Sequence, residues 1–282
     1  MLCPRYRALT RLALLAFGLA SGLSFHSTAS AELILTAPPR ESIEDGSRLY
    51  EPLAKALSEL LGEPVTYRHP GDWHNYQKQL KDDAYDIVFD GPHFAAWRMD
   101  AFGATPLVRL PGSLSFVLVT YAGNKGVSEP KDLLGMRVCT LPSPNLGTLT
   151  LFSMFPNPVI QPEFLTVTGG FRQVADKFFA GECHGAIMRS SFYYQKLTDK
   201  ERDLTKVIQK SQPIINQGIT VSRRVDINQQ YKMLQALTTS SSAKVMRPLL
   251  DRFAANADSF IPARREEYIG QNLLHDNMMF GW

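Results

Sequence analysis

The sequence predicts an α/β protein of two lobes, each a mostly parallel sheet flanked by helices, with a cleft between the lobes. Strand-like and helix-like segments alternate along nearly the whole chain, the pattern of parallel sheets covered on both faces. The alternation runs once as far as Tyr121 and begins again after Ser128, which implies two sheets. No tandem repeat, low-complexity tract or long linker intervenes, so the lobes are expected to pack closely.

A strand is expected over Glu32 to Ala37, then a loop with Pro38 and Pro39. Leu49, Leu53, Ala56, Leu57 and Leu60 recur at helical spacing and predict a helix from about Ser47 to Leu61, stopped by Gly62. Val65 to His69 is a second strand, and Asp72 caps a helix reaching about Leu80. Tyr85 to Phe89 is almost wholly apolar, as expected of a strand with both faces covered. Pro92 starts a helix; Pro106 to Leu110 and Ser115 to Tyr121 are strands. After a helical turn at Ser128 to Leu134 come strands at Met136, Phe164 and Gly185, each followed by a helix, from Leu146, Phe171 and Ser190. Strands at Lys206 to Lys210 and Gly218 to Ser222 precede a mainly helical stretch from Asp226 to about Tyr268. The joins between lobes are expected near Thr120-Tyr121 and Gln217-Gly218.

The first residues are not part of this body. Arg5, Arg7 and Arg11 precede an apolar run from Leu12 to Phe25, and Ala29-Ser30-Ala31 supplies a small-residue cleavage pattern. Residues 1–31 therefore read as a signal peptide cut after Ala31, and the product is expected in the periplasm. Its loss removes three arginines and no acid, leaving 27 basic against 27 acidic residues. A balanced charge argues against nucleic acid as a partner. Cys139 and Cys183 remain after cleavage; in an oxidising compartment a disulfide is the simplest reading and two separate buried thiols the alternative.

The order and spacing of several phrases resemble a known family. These are Leu49-Tyr-Glu-Pro-Leu-Ala-Lys-Ala-Leu57, Tyr85-Asp-Ile-Val-Phe-Asp-Gly-Pro-His93, Ser128-Glu-Pro-Lys-Asp-Leu-Leu-Gly-Met-Arg-Val138 and Phe179-Ala-Gly-Glu-Cys-His-Gly-Ala-Ile187. Together they look like the phosphonate/phosphite-type substrate-binding proteins of ABC importers, within the type II periplasmic binding fold. The resemblance implies a first lobe of residues 32–120 and 218–282, a second of 121–217, and hinges near 120–122 and 216–219. Ligand would sit in the cleft, at strand ends and helix N-termini, as it does in open parallel sheets generally.

In that family a hydroxyl-rich loop holds the anion at a helix N-terminus. The matching segment is Pro142-Ser-Pro-Asn-Leu-Gly147, where Pro144, Asn145 and Leu146 replace the central hydroxyl residues. Ser143, Asn145 and Thr148 are the candidates that remain. Asp90 stands where the family has an aromatic residue; it either meets a cation or donor-rich ligand or caps the helix that begins at Pro92. The expected ligand is accordingly a small polar molecule diverged from a typical phosphonate. The loop Pro38-Pro-Arg-Glu-Ser42 borders the cleft and offers Arg40 and Ser42; Arg40 is a clamp through its planar donors or a solvated charge. Trp73 and His93 are further candidates in the first lobe, Arg189 and Ser190 in the second.

No nucleophile elbow, P-loop or dinucleotide fingerprint occurs, and Ser241-Ser-Ala-Lys244 lacks the companion motifs a Ser-x-x-Lys enzyme needs. The chain is not expected to be an enzyme or to carry a cofactor or metal. The expected partners are a small-molecule ligand and a membrane permease or, alternatively, a sensor protein, with the chain acting as a monomer.

Overall fold

Residues 32–240, 243–254 and 256–272 are described by a computed structural model. The leader and Ser241 lie outside the described residues. Among those described, no helix is long and apolar enough to cross a membrane.

The first lobe opens with β1 (Leu33–Thr36), α1 (Ile43–Leu61), β2 (Val65–Tyr67), α2 (Trp73–Lys81), β3 (Ile87–Asp90), α3 (Pro92–Phe102) and β4 (Thr105–Arg109). Helix α1 starts four residues earlier than its apolar period suggests. Ser42 caps it, its hydroxyl accepting from the Asp45 amide at 3.1 Å. Gly62 ends it at φ 75°, a left-handed conformation that a side chain would strain. Asp72 caps α2 through the Asn75 amide.

After β4 the chain forms β5 (Ser113–Leu114) and enters the second sheet with β6 (Phe116–Tyr121). There follow β7 (Arg137–Thr140), α4 (Leu146–Ser153), β8 (Glu163–Thr166), α5 (Phe171–Phe179), β9 (Gly185–Arg189), α6 (Ser190–Lys196), α7 (Asp199–Asp203) and β10 (Thr205–Lys210). The return passes through β11 (Ile214–Ile215) to β12 (Gly218–Val221), α8 (Ile227–Leu237), α9 (Ala243–Phe253) and β13 (Ile261–Pro262).

The six-stranded sheet runs β13, β4, β12, β3, β1, β2, and the five-stranded sheet β10, β6, β9, β7, β8. Both are mixed rather than mostly parallel. Pairing is parallel only in β2–β1–β3 and β8–β7–β9, whose strands are linked through helices. Strand β12, returning from the second sheet, is inserted antiparallel between β3 and β4, and β6, arriving from the first, is inserted antiparallel between β9 and β10. The two sheets are connected by a short antiparallel ribbon, β5 against β11. The chain thus leaves the first sheet after Arg109, upstream of the expected Thr120-Tyr121 join, because β6 is wholly hydrogen-bonded within the second sheet.

Cys139 on β7 and Cys183, just before the neighbouring β9, form a disulfide with Cα atoms 5.7 Å apart. The parallel pairing of β7 and β9 brings the two residues within bonding range.

Candidate functional site

An inner cavity of about 100 Å³ lies between the lobes, and a groove of about 720 Å³ adjoins it. Both are built largely from helix N-termini. The starts of α3 and α4 supply His93, Asn145 and Leu146; those of α5 and α6 supply Phe171, Arg172, Arg189 and Ser191. Unpaired amides and the dipole make each such end favourable to negative charge. Arg40, Trp73, Asn145, Phe171, Arg189 and Gln217 line both spaces and so stand on the boundary between them.

The site is strongly cationic. Arg40 and Arg189 face it from different lobes, with Arg172, Lys196 and Arg252 around the groove, and among the described residues no Asp or Glu lines either space. Arg172 is ion-paired to Glu201 at 2.7 Å, and Arg252 stands 3.7 Å from Glu41. Among the described residues, neither Arg40 nor Arg189 has a carboxylate within 4 Å. The Arg40 guanidinium lies over the Phe253 ring, 5.1 Å from its centroid. Burial would lower the Arg40 pKa, but the neighbouring Tyr50 and Glu41 outweigh it and raise the guanidinium above the usual arginine range. Burial first, and then the like charges of Arg252 and Arg40, hold the Arg189 guanidinium below the usual arginine range.

His93 links the lobes. Its Nε2 lies 3.2 Å from the Pro144 carbonyl. A carbonyl only accepts, so Nε2 carries the proton and Nδ1, unpartnered and buried, is an acceptor. Burial lowers the His93 pKa to about 3, opposed by the Pro144 bond. The ring can lie this close to the chain only because residue 91 is glycine: a Cβ there would come within 2.7 Å of His93 Cε1. Gly147 is required in the same way, since Phe116 would meet its Cβ at 2.9 Å.

Of the ten candidates named from sequence, five come together here: Arg40, Trp73, His93, Asn145 and Arg189. The other five are not among the lining residues. Ser42 is exposed and caps α1. Thr148 is fully buried, donating to the Leu141 carbonyl at 2.6 Å and lying 2.9 Å from the Thr140 hydroxyl. Ser190 is buried and accepts from the Ser115 hydroxyl at 2.7 Å. Ser143 is half-buried beside the cavity residue Pro144. Asp90 neither faces the cleft nor caps α3, whose N-cap is Gly91. It is fully buried, its Oδ2 accepting from the Tyr76 hydroxyl at 2.9 Å. Burial raises its pKa to about 7, with Arg98 and Tyr76 opposing.

Sequence reading missed Leu114, Phe116, Gln217 and Arg252 as site residues. Gln217 stood at an expected lobe join, and a residue at a join borders the cleft. Nothing local marks the others, because strand and helix periodicity explain them equally well as core or surface. Asparagine at 145 keeps the cap that the hydroxyl-rich loop would supply, its Oδ1 accepting from the Gly147 amide at 2.9 Å. Among the described residues, no group of three or more His, Cys, Asp or Glu side chains is placed to hold a metal ion.

Residues 35–268 match the family described as ABC transporter, phosphonate, periplasmic substrate-binding protein. The chain belongs to that family. Being a member of a periplasmic binding-protein family, this substrate-binding protein functions in the periplasm with a small-molecule ligand and a membrane permease, and the sensing alternative is not favoured. No curated protein matches the sequence. Solved structures share its two-lobed fold at low identity. A Xanthomonas citri protein bound to ATP superposes with TM-score 0.70 at 13% identity, over 86% of this chain and 96% of that one. A Prochlorococcus marinus protein in complex with methylphosphonate gives 0.64 at 13%, over 84% and 94%. A binding component of a Pseudomonas aeruginosa phosphonate transporter gives 0.60 at 15%, over 84% and 83%.

Proposed function

We propose that this binding protein, after cleavage of its leader following Ala31, captures an oxyanion between Arg40 of one lobe and Arg189 of the other. It then presents the closed form to its permease as a monomer, without chemical change to the ligand. The observation that carries this reading is the pair of cleft arginines with no carboxylate within 4 Å, in a site that no Asp or Glu lines among the described residues. Bringing like charges together costs free energy that a bound anion recovers. An anion touching both lobes stabilises the closed form over the open one, the population shift expected of hinge-closing receptors. The ribbon of β5 and β11 is the natural hinge, since it is short and connects the sheets.

With Asp90 buried behind the wall, the repulsion of an oxyanion expected from that residue has no source in the cleft. The family ligand chemistry is therefore retained at the level of the anionic head. Calorimetry of the processed chain against phosphonates, phosphate, carboxylates and amines tests this. Oxyanions should bind, and Arg189→Gln should weaken them by about 10- to 100-fold, the usual worth of a hydrogen bond to a charged group. Binding of amines in place of every oxyanion ends the proposal.

A further inference from the structure

Arg40 sits in the loop between β1 and α1, outside any strand or helix. A long side chain that is free to turn loses that freedom when it grips a ligand, and the loss weakens binding. Here the guanidinium is supported from a remote part of the chain. Phe253 is the last residue of α9. The Arg40 Cζ lies over its ring, 5.1 Å from the centroid, and the Arg252 Cζ stands 5.4 Å from the same centroid. A guanidinium over an aromatic face is attracted by the ring's quadrupole. The ring is itself fixed. It is buried and packs on Phe89 with centroids 5.3 Å apart, and Phe89 packs in turn on Tyr50 and Phe260.

Charge is arranged to the same effect. Glu41 follows Arg40 directly, and its side chain is only 9% exposed. Arg252, not Arg40, is the cation within 4 Å of its carboxylate, at 3.7 Å. One acid thus stands beside two arginines and is engaged by the outer one. We infer that Arg252 and Phe253 are positioning residues for Arg40: the Phe253 ring holds its guanidinium at the cleft, and Arg252 engages Glu41 so that the Arg40 charge stays available to a ligand. The inference rests on the anion reading above and adds how one of its two cations is kept in place and unpaired.

The test is calorimetry of the processed chain with methylphosphonate and inorganic phosphate, run as two double-mutant cycles. Phe253→Leu keeps an apolar side chain but removes the ring face, and it should weaken both probes by about three- to tenfold. In an Arg40→Gln background the same change should cost less than about twofold. Phe253→Tyr, which keeps the ring face, should bind as the wild type does. A ring that served only the fold would lower the melting temperature and weaken binding equally in the two backgrounds. Arg252→Gln should weaken the probes by about two- to fivefold, and adding Glu41→Gln should restore them. Arg252 is exposed, so this second cycle decides the matter if Phe253→Leu fails to fold. No loss with Phe253→Leu, an equal loss in both backgrounds, or an Arg252→Gln loss that persists without Glu41 overturns the inference and leaves the anion reading standing. Failure of the wild type to bind either probe or any other oxyanion removes both.

Discussion

Helices α3 and α4 differ from α1 and α9 in a way that explains where the site sits. Helix α1 buries one face, through Leu49, Tyr50, Leu53, Ala54 and Leu57, and α9 does the same through Met246, Leu249, Leu250 and Phe253. Both pack these faces on the first-lobe core and leave other residues, Glu51 on α1 and Asp251 on α9 among them, exposed. In α3 every residue from Pro92 to Met99 is buried, and in α4 every residue from Leu146 to Leu151. A helix apolar all round needs cover on all sides. For α4 that cover comes from both lobes. Leu146 and Leu151 join the second-lobe cluster with Phe116 and Ile187. Leu149, between them, packs into the first-lobe cluster with Tyr76, Phe94 and Trp97. The contact between the lobes is therefore apolar at Leu149, beyond the cleft.

The largest expected effect separates the two kinds of helix. Leu149→Ala and Leu53→Ala should each cost about 2–5 kcal/mol in urea unfolding, because each empties a filled site. Only Leu149→Ala should also enlarge the radius of gyration by X-ray scattering, since only it removes a contact between lobes. An unchanged radius would mean that Leu149 does not hold the lobes together.

A middle-sized effect comes from the titratable groups whose neutral forms burial favours. Asp90 and His93, at the start of α3, have shifts of opposite sign. The His93 contribution is intact above its ordinary value of 6.5 and is lost as pH falls toward about 3. The Asp90 contribution is intact below its ordinary 3.8 and is lost as pH rises through about 7. Asp90→Asn should therefore raise the melting temperature more at pH 8 than at pH 5, by several degrees if the gain is ~2 kcal/mol. An equal change at both pH values would show that Asp90 is not held neutral. For His93→Gln, the loss of stability below pH 6 should be shallower than in the wild type, read by thermal melts across pH 4–7.

The smallest effect sharpens the contrast from the other side. Glu51 is on the exposed face of α1. Glu51→Ala should change stability by less than about 0.5 kcal/mol, and a larger loss in urea would mean that this face is covered in solution.

Much of the fold was legible because its signals are local. Asp72 caps α2, Pro92 begins α3 and Gly62 ends α1 as their chemistry dictates. The pairings β5–β11 and β13–β4 were not legible, because β5, β11 and β13 have only two residues each, too short for a period to show. Half of the proposed site was legible. Loops after strands do reach the cleft, which placed Arg40, Trp73, Asn145 and Arg189. Hydroxyls were the error: Ser42, Thr148 and Ser190 satisfy nearby protein groups, and sequence does not show whether a hydroxyl will face a ligand or a neighbour.

From sequence alone came the alternation of elements, their caps and stops, the two cysteines available to bond, and the cations on loops between strand and helix. Each depends on residues within a few positions of one another, whose spacing and chemistry act before any long-range contact forms. Tertiary structure alone decided that Asp90 turns inward to Tyr76, that α4 serves both lobes, and that Arg40 and Arg189 line one cavity between them. Those outcomes depend on which remote segment covers each side chain, and covering is a property of packed surfaces that no local pattern encodes.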